Sequence, residues 1–140
     1  AGTSTRFSFG DGPSIDSEYK YYEEPALYLW WYGNNEPYGV KPVGLKRANP
    51  WGFFDMHGNL YEWCSDWWEA PYPRGSTIDP QGPSFGTWHV VKGGHWYGSI
   101  LHCRTAFRFW EEEAERNGGP FFGLRVVMDR PTQLVDWELY

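Results

Sequence analysis

The stretch NPWGFFDMHGNLYEWCSDWW, residues 49–68, is the densest aromatic part of the chain and decides the fold. Within residues 59–68, the apolar side chains are Leu60, Trp63, Cys64, Trp67 and Trp68. Their spacing fits a helix and a strand equally poorly, and we predict a strand. Buried area in this region must come mainly from aromatic rings, since few aliphatic side chains are present.

The same character extends to the whole chain of 140 residues, in which Trp, Tyr and Phe make up 21%. Each large ring buries roughly 150–250 Å², so a few rings can hold a loop-rich fold together. The 17 glycines and 11 prolines interrupt the chain every few residues and leave little room for long helices. The sequence therefore predicts one irregular domain with no room for a second core.

Other elements are predicted on both sides of the central stretch. Residues 13–39 form a Tyr- and Trp-rich loop layer with one short helix, and residues 40–50 are extended because Pro42 and Pro50 exclude helix. Further strands are predicted at residues 88–91, 103–110 and 123–128, and residues 129–140 form a polar tail.

Charge and hydropathy exclude two classes of partner. The formal net charge is −6, and acidic and basic residues are mixed along the chain with no basic stripe. We therefore expect no nucleic-acid partner. No stretch approaches the apolar length of a membrane span, and no secretory signal is present, so we expect no direct membrane span.

The two cysteines, Cys64 and Cys103, are candidates for a disulfide. The alternative is a pair of buried free thiols, since Cys is often fully buried. A bond would close a loop of about forty residues and add about 3–4 kcal/mol of stability. It would also favour an oxidising compartment, periplasmic or extracellular.

Several phrases carry a family resemblance. They are FSFGDG at 7–12, PVG at 42–44, the stretch at 49–68, VVKGGHW at 90–96, CRTAFR at 103–108 and FGLRVV at 122–127. In order and spacing they resemble the C-terminal part of the formylglycine-generating-enzyme (sulfatase-modifying-factor) domain. The resemblance implies an α+β fold, a loop-rich variant of the C-type lectin fold, over residues 1–128, followed by the tail at residues 129–140.

A complete domain of that family is considerably longer, and the missing part precedes residue 1. The resemblance therefore implies that the N-terminal part is on another chain or has been removed. So much aromatic surface on so short a chain favours contact with a neighbour. We predict that the chain packs against a companion polypeptide or other subunits.

A calcium site is predicted between Asp55 and Glu62. Calcium takes six to eight oxygen ligands, and these residues offer two carboxylates around a turn that Gly58 permits. The resemblance implies that Asp55 and Glu62 donate side chains, while Gly58 and Leu60 donate carbonyls to a structural ion. The alternative is a turn capped by Asp55, with Glu62 paired to an arginine.

The catalytic cysteines implied by the resemblance are missing. The family's oxidase holds copper with two thiolates five residues apart, after a GGS-like turn, and soft thiolate is what Cu(I) selects. Here Gly98 stands at the first cysteine position, and the segment that follows is shorter. By the resemblance, Cys103, next to Arg104 in the predicted strand beyond, matches neither catalytic position. His95 replaces the turn's serine, and Tyr61 replaces a tryptophan. We expect no bound copper and a non-catalytic structural or binding subunit.

Two alternatives to that function stay open. The chain is a fragment of a metal-dependent oxidase or sulfoxide-synthase-type enzyme whose ligands lie in the missing N-terminal part. Otherwise it is a carbohydrate-binding module, in which Trp96 and Tyr97 stack on a sugar. The candidate binding loop comprises His95, Trp96, Tyr97 and His102, and its two histidines are also a candidate metal or acid–base site.

Overall fold

The structure is a computed structural model that describes residues 4–12, 14, 17–71, 78, 80, 82–112 and 120–127. Within these described residues, helix is limited to α1, Glu23–Ala26, and to two 3-10 turns, Tyr32–Asn34 and Ile100–Cys103. The strands are β1 (Tyr61–Trp67), β2 (Trp88–Lys92), β3 (Phe109–Glu112) and β4 (Phe122–Gly123). The predicted α+β class with little regular secondary structure is confirmed.

The four strands form one sheet in the order β3-β2-β1-β4. Strand β2 pairs antiparallel with both β1 and β3, whereas β4 runs parallel to β1. The β1–β2 register pairs Trp63 with Val91 and Trp67 with His89, so β1 bulges between its two tryptophans. The bulge leaves the middle of β1 free to line a cleft instead of continuing the ladder.

The predicted strands at 59–68 and 88–91 are confirmed, and two other predictions are wrong over most of their length. Residues 100–103 form a 3-10 turn, in which the Ser99 hydroxyl accepts a hydrogen bond from the Leu101 N–H. The carbonyls of Thr105 and Phe107 then accept from the Lys92 ammonium instead of pairing with a strand. Strand β4 contains only Gly123 of the predicted 123–128. Residue 128 and the predicted tail lie outside the described residues.

One cluster of buried hydrophobic residues lies between the loop layer and the 3-10 turn, and Tyr61, Val90 and Val91 of the sheet are also buried. The buried members of the cluster are Phe7, Tyr22, Leu29, Trp31, Ile100 and Cys103. Aromatic rings from residues far apart in the chain supply much of this cluster, as the composition predicts. In the part of the chain that the structure describes, no helix has the length and apolar content needed to cross a membrane.

The predicted disulfide between Cys64 and Cys103 is not formed, and both residues are free thiols. Cys103 is fully buried in the core, where a Cβ added at Gly94 would lie 2.6 Å from its sulfur. Cys64 lies on the bulged part of β1, half-buried beside Lys92. Burial raises the pKa of both thiols, that of Cys103 to about 12. The compartment inferred from a bond is therefore unsupported.

Candidate functional site

The turn that precedes β1 has an unusual backbone. Asp55, Gly58 and Asn59 all have positive φ, at 55°, 73° and 65°. Such values are uncommon outside glycine and need support from surrounding contacts. The Gly58 N–H donates to the Gly93 carbonyl at 2.7 Å, and the Asn59 N–H donates to the Trp30 carbonyl at 2.9 Å. The turn is therefore held from both sides.

Gly58 has no room for a side chain. A Cβ built at this position would lie 2.0 Å from the Trp30 carbonyl oxygen, which is backbone and cannot swing away. Position 58 therefore requires glycine for two reasons: its positive φ and the close approach of the Trp30 backbone. The turn's carbonyl and carboxylate groups are consequently fixed next to the start of β1.

The four predicted calcium ligands line one cleft of about 470 Å³; they are Asp55, Gly58, Leu60 and Glu62. One carboxylate oxygen of Asp55 accepts from the Gly44 N–H at 2.7 Å. Its other oxygen, Oδ1, is buried and has no hydrogen-bond partner among the described residues. A buried carboxylate oxygen without a partner is rare and is a ligand type that calcium takes.

Glu62 is engaged differently from Asp55. Its two oxygens accept from Nε and Nη2 of Arg125, at 2.8 and 2.7 Å. The same Nη2 donates to the Phe54 carbonyl at 2.9 Å. This bidentate pair matches the alternative in which Glu62 is paired to an arginine.

Asp55 has a carboxylate oxygen that is available to calcium, whereas both oxygens of Glu62 are already bound by Arg125, which would compete with the ion. The set holds two carboxylates and the predicted carbonyls, with oxygen the only donor atom, which suits a hard cation. In the described ranges, no three His, Cys, Asp or Glu side chains gather as a metal site. A cation here would therefore depend on backbone carbonyls for the rest of its shell, and Glu62 would have to share or leave Arg125.

His95 lies against the other two positions that depart from the family pattern, Gly98 and Tyr61. A Cβ at Gly98 would lie 2.9 Å from Nε2 of His95. The His95 ring lies 4.9 Å from the Tyr61 ring and 4.7 Å from the Phe121 ring, centre to centre. Burial, helped by the nearby His102, lowers the pKa of His95 to about 4. A neutral imidazole therefore occupies the space beside position 98.

The candidate binding loop is only partly available to a ligand. Trp96 is 8% exposed, and its indole N–H donates to the Pro120 carbonyl at 3.0 Å. It is therefore turned inward, and the expectation that it stacks on a sugar is wrong. Tyr97 is exposed and makes edge contacts with Tyr32 and Tyr38. His102 stacks on Phe107, so its ring also faces the protein.

Sequence reasoning missed a second cleft of about 700 Å³, which shares Glu62 and Arg125 with the first. Its wall includes Cys64, Lys92 and Arg104. The signal for it in the sequence is the pair of arginines in two of the family phrases, Arg104 in CRTAFR and Arg125 in FGLRVV. Their convergence depends on the β1 bulge, which no local pattern reveals.

Comparison with known proteins places these features in a family. A family model described as a sulfatase-modifying factor enzyme 1-like domain matches residues 1–130. The formylglycine-generating enzyme of Thermomonospora curvata is 38% identical over 69 residues, covering 46% of this chain and 23% of the relative. The chaperone protein LppX of Paenibacillus barcinonensis is 37% identical over 92 residues, covering 65% and 28%.

A solved structure shows the same fold. The Treponema denticola variable protein 1 superposes with a TM-score of 0.62 at 30% identity, covering 79% of this chain and 37% of that one. The chain thus spans from about a quarter to about a third of the length of these relatives. An enzyme, a chaperone and a variable protein all share the scaffold, so the scaffold alone does not fix an activity.

Proposed function

The chain belongs to the sulfatase-modifying factor enzyme 1-like domain family, and from that premise we propose that it is a non-catalytic member. In this proposal it serves as a structural or binding subunit that calcium stabilises and that packs against a companion polypeptide. The observation that carries the proposal is the packing of His95 against Gly98. Gly98 stands at the position where the resemblance places the first copper-binding cysteine.

The first support is steric. A cysteine at position 98 would carry its Cβ to 2.9 Å from the His95 ring, closer than real side chains approach. The ring cannot easily retreat, because Tyr61 and Phe121 pack on it. The local volume therefore suits an imidazole and no thiol, and a two-thiolate copper site does not fit these residues.

The second support concerns calcium. The buried Oδ1 of Asp55 has no partner in the described part of the chain, although the other oxygen of the same carboxylate is satisfied. Leaving such an atom without a partner costs about 1–3 kcal/mol. A bound calcium ion would remove that cost and tie the left-handed turn to the start of β1, which is a structural role.

The third support is the exposed apolar surface beside the two clefts. Val43 is 81% exposed, and Leu124 and Val127 are 79% and 85% exposed. Large exposed apolar patches on a soluble protein mark contact surfaces. We assign this surface to a companion polypeptide that packs against it.

Metal analysis of the purified protein with its co-purifying chains tests the proposal. We expect about one calcium per chain, lost in Asp55→Asn and kept in Asp11→Asn, a control carboxylate that accepts from the Arg6 N–H. We expect no stoichiometric copper and no conversion of a peptidyl cysteine to an aldehyde. Tightly bound copper, or aldehyde formation abolished by a substitution in this chain, would instead support the enzyme-fragment alternative.

A further inference from the structure

The 700 Å³ cleft shares Glu62 and Arg125 with the first cleft, but Asp55, Gly58 and Leu60 do not line it. Its volume falls in the range of about 300–1,000 Å³ that is usual for small-molecule sites. We propose that this cleft binds an organic anion, with a carboxylate or phosphate group held between Lys92 and Arg104. The apolar body of the ligand would lie against Trp51, Met56 and Trp63.

Of the three cations that line the cleft, Lys92 and Arg104 have no carboxylate partner in the described part of the chain, whereas Arg125 is paired with Glu62. The Lys92 ammonium donates to the carbonyls of Thr105 and Phe107, at 3.2 and 3.0 Å, and keeps a third N–H. Arg104 uses its Nε to bond the Leu101 carbonyl at 2.9 Å. This bond orients the guanidinium and leaves its terminal nitrogens for a ligand.

The other ionisable groups that line the cleft do not neutralise these cations. Glu62 is already bound to Arg125 through both of its oxygens. Burial raises the pKa of Cys64 and lowers the pKa of His57, so both side chains are neutral near pH 7. The neighbouring Asp66 does not line the cleft. The pocket therefore carries an excess of about two positive charges in a chain whose net charge is −6.

The positive charge of the cleft favours anion binding more strongly because Lys92 is partly removed from water. Burial, the largest effect, lowers the pKa of Lys92, which shows that its ammonium is poorly compensated. An anion placed beside it would reverse that penalty. Hydrogen bonds between charged groups and an oxyanion are short and about twice as strong as neutral ones.

The apolar wall restricts the class of anion. Trp51, Met56 and Trp63 supply two indole rings and an aliphatic thioether around the charged end. A free inorganic ion would contact only the charged end of so large a cleft. A carboxylate or phosphate attached to an aromatic or aliphatic body would bury apolar area against this wall as well, which favours binding.

Titration of the full chain, with any co-purifying companion, tests the proposal. Signals of the Trp51 and Trp63 indole N–H groups are followed by NMR, after assignment by Trp→Phe variants, during addition of benzoate, phenyl phosphate or neutral benzamide. We expect both signals to shift saturably with at least one anion and not with benzamide. Comparison of the two anions tells which oxyanion the site prefers.

Arg104→Gln is the decisive variant, because it retains a polar side chain while removing the charge. We expect it to weaken anion binding at least tenfold, whereas Arg47→Gln, outside this cleft, leaves binding unchanged. The spectrum of each variant shows whether it is folded. Absence of saturable shifts with either anion, equal binding of benzamide, or unaltered binding by Arg104→Gln would overturn the proposal. Repeating the titration in EDTA separates this site from the calcium site.

Discussion

At the scale of single residues, the contacts of His95 show how far the sequence predicts this site. The family resemblance singles out His95, Gly98 and Tyr61 one by one, as departures from a pattern. It does not reveal that the His95 ring contacts both of the other positions and also Phe121, which is distant in the chain. The sequence therefore predicts which positions depart from the family pattern, but it does not predict that the residues at these positions contact one another.

A double-mutant cycle tests the contact between positions 95 and 98. We expect Gly98→Ala to lower the free energy of unfolding by about 1–3 kcal/mol, because its Cβ would lie 2.9 Å from His95 Nε2. In a His95→Ser background the same substitution should be nearly neutral, since the obstructing ring is gone. Urea unfolding of the four proteins measures the coupling. An equal cost in both backgrounds would show that the ring does not fill this space.

Competition between calcium and an arginine is testable at Glu62. Arg125→Gln releases both oxygens of Glu62 from the bidentate pair and removes a positive charge from the cleft. We expect calcium affinity to rise by about 1 kcal/mol, or roughly fivefold in Kd. Calorimetric titration measures it, with Glu62→Gln expected to abolish binding. Weaker binding by Arg125→Gln would mean that the arginine positions Glu62 for the ion instead of competing with it.

At the scale of elements, the sequence predicted strands where aromatic and β-branched residues are dense, as in β1 and β2. It failed at residues 103–108, where Lys92 binds the carbonyls of Thr105 and Phe107 and removes them from any ladder. The failure has a tertiary cause, since a lysine on another strand satisfies the backbone groups. Local propensity carries no information about such a contact.

The turn before β1 gives a matched pair of glycine substitutions. Gly58 and Gly44 both have positive φ, at 73° and 77°, but only Gly58 has backbone within 3 Å of an added Cβ. We expect Gly44→Ala to cost about 1–2 kcal/mol through φ alone. Gly58→Ala should cost more than about 3 kcal/mol or prevent folding, because the Trp30 carbonyl cannot move aside. Thermal or urea unfolding compares them, and equal losses would contradict the close approach.

At the scale of the whole molecule, composition correctly predicted a loop-rich domain held by aromatic rings. It could not tell which rings are inside, because Trp31 and Trp96 are buried while Trp51 is 61% exposed. The presence of two cysteines made Cys64 and Cys103 candidates for a disulfide, whereas both are free thiols in the structure. Which aromatic rings are buried depends on tertiary contacts between distant segments, and composition does not encode those contacts.

The stability of the whole domain should fall in mild acid because of its histidines. Burial lowers the pKa of His57, His95 and His102, that of His95 from 6.5 to about 4. Above pH 6.5 these rings are neutral in both the folded and the unfolded states and contribute no pH dependence. As pH falls from 6.5 towards 4, the unfolded chain takes up protons that folded His95 refuses, so the free energy of unfolding decreases.

His95→Phe should flatten that decrease, because phenylalanine fits between the Tyr61 and Phe121 rings and binds no proton. We expect a difference of about 1–2 kcal/mol between pH 7 and pH 4.5, reduced from the full linkage value because the ring is partly exposed. Urea unfolding in EDTA at several pH values measures it without calcium, and Tyr97→Phe in the same turn is the control. If the free energy of unfolding of His95→Phe depends on pH as that of the parent does, His95 takes up protons equally in the folded and unfolded states. That result would contradict a neutral imidazole beside Gly98.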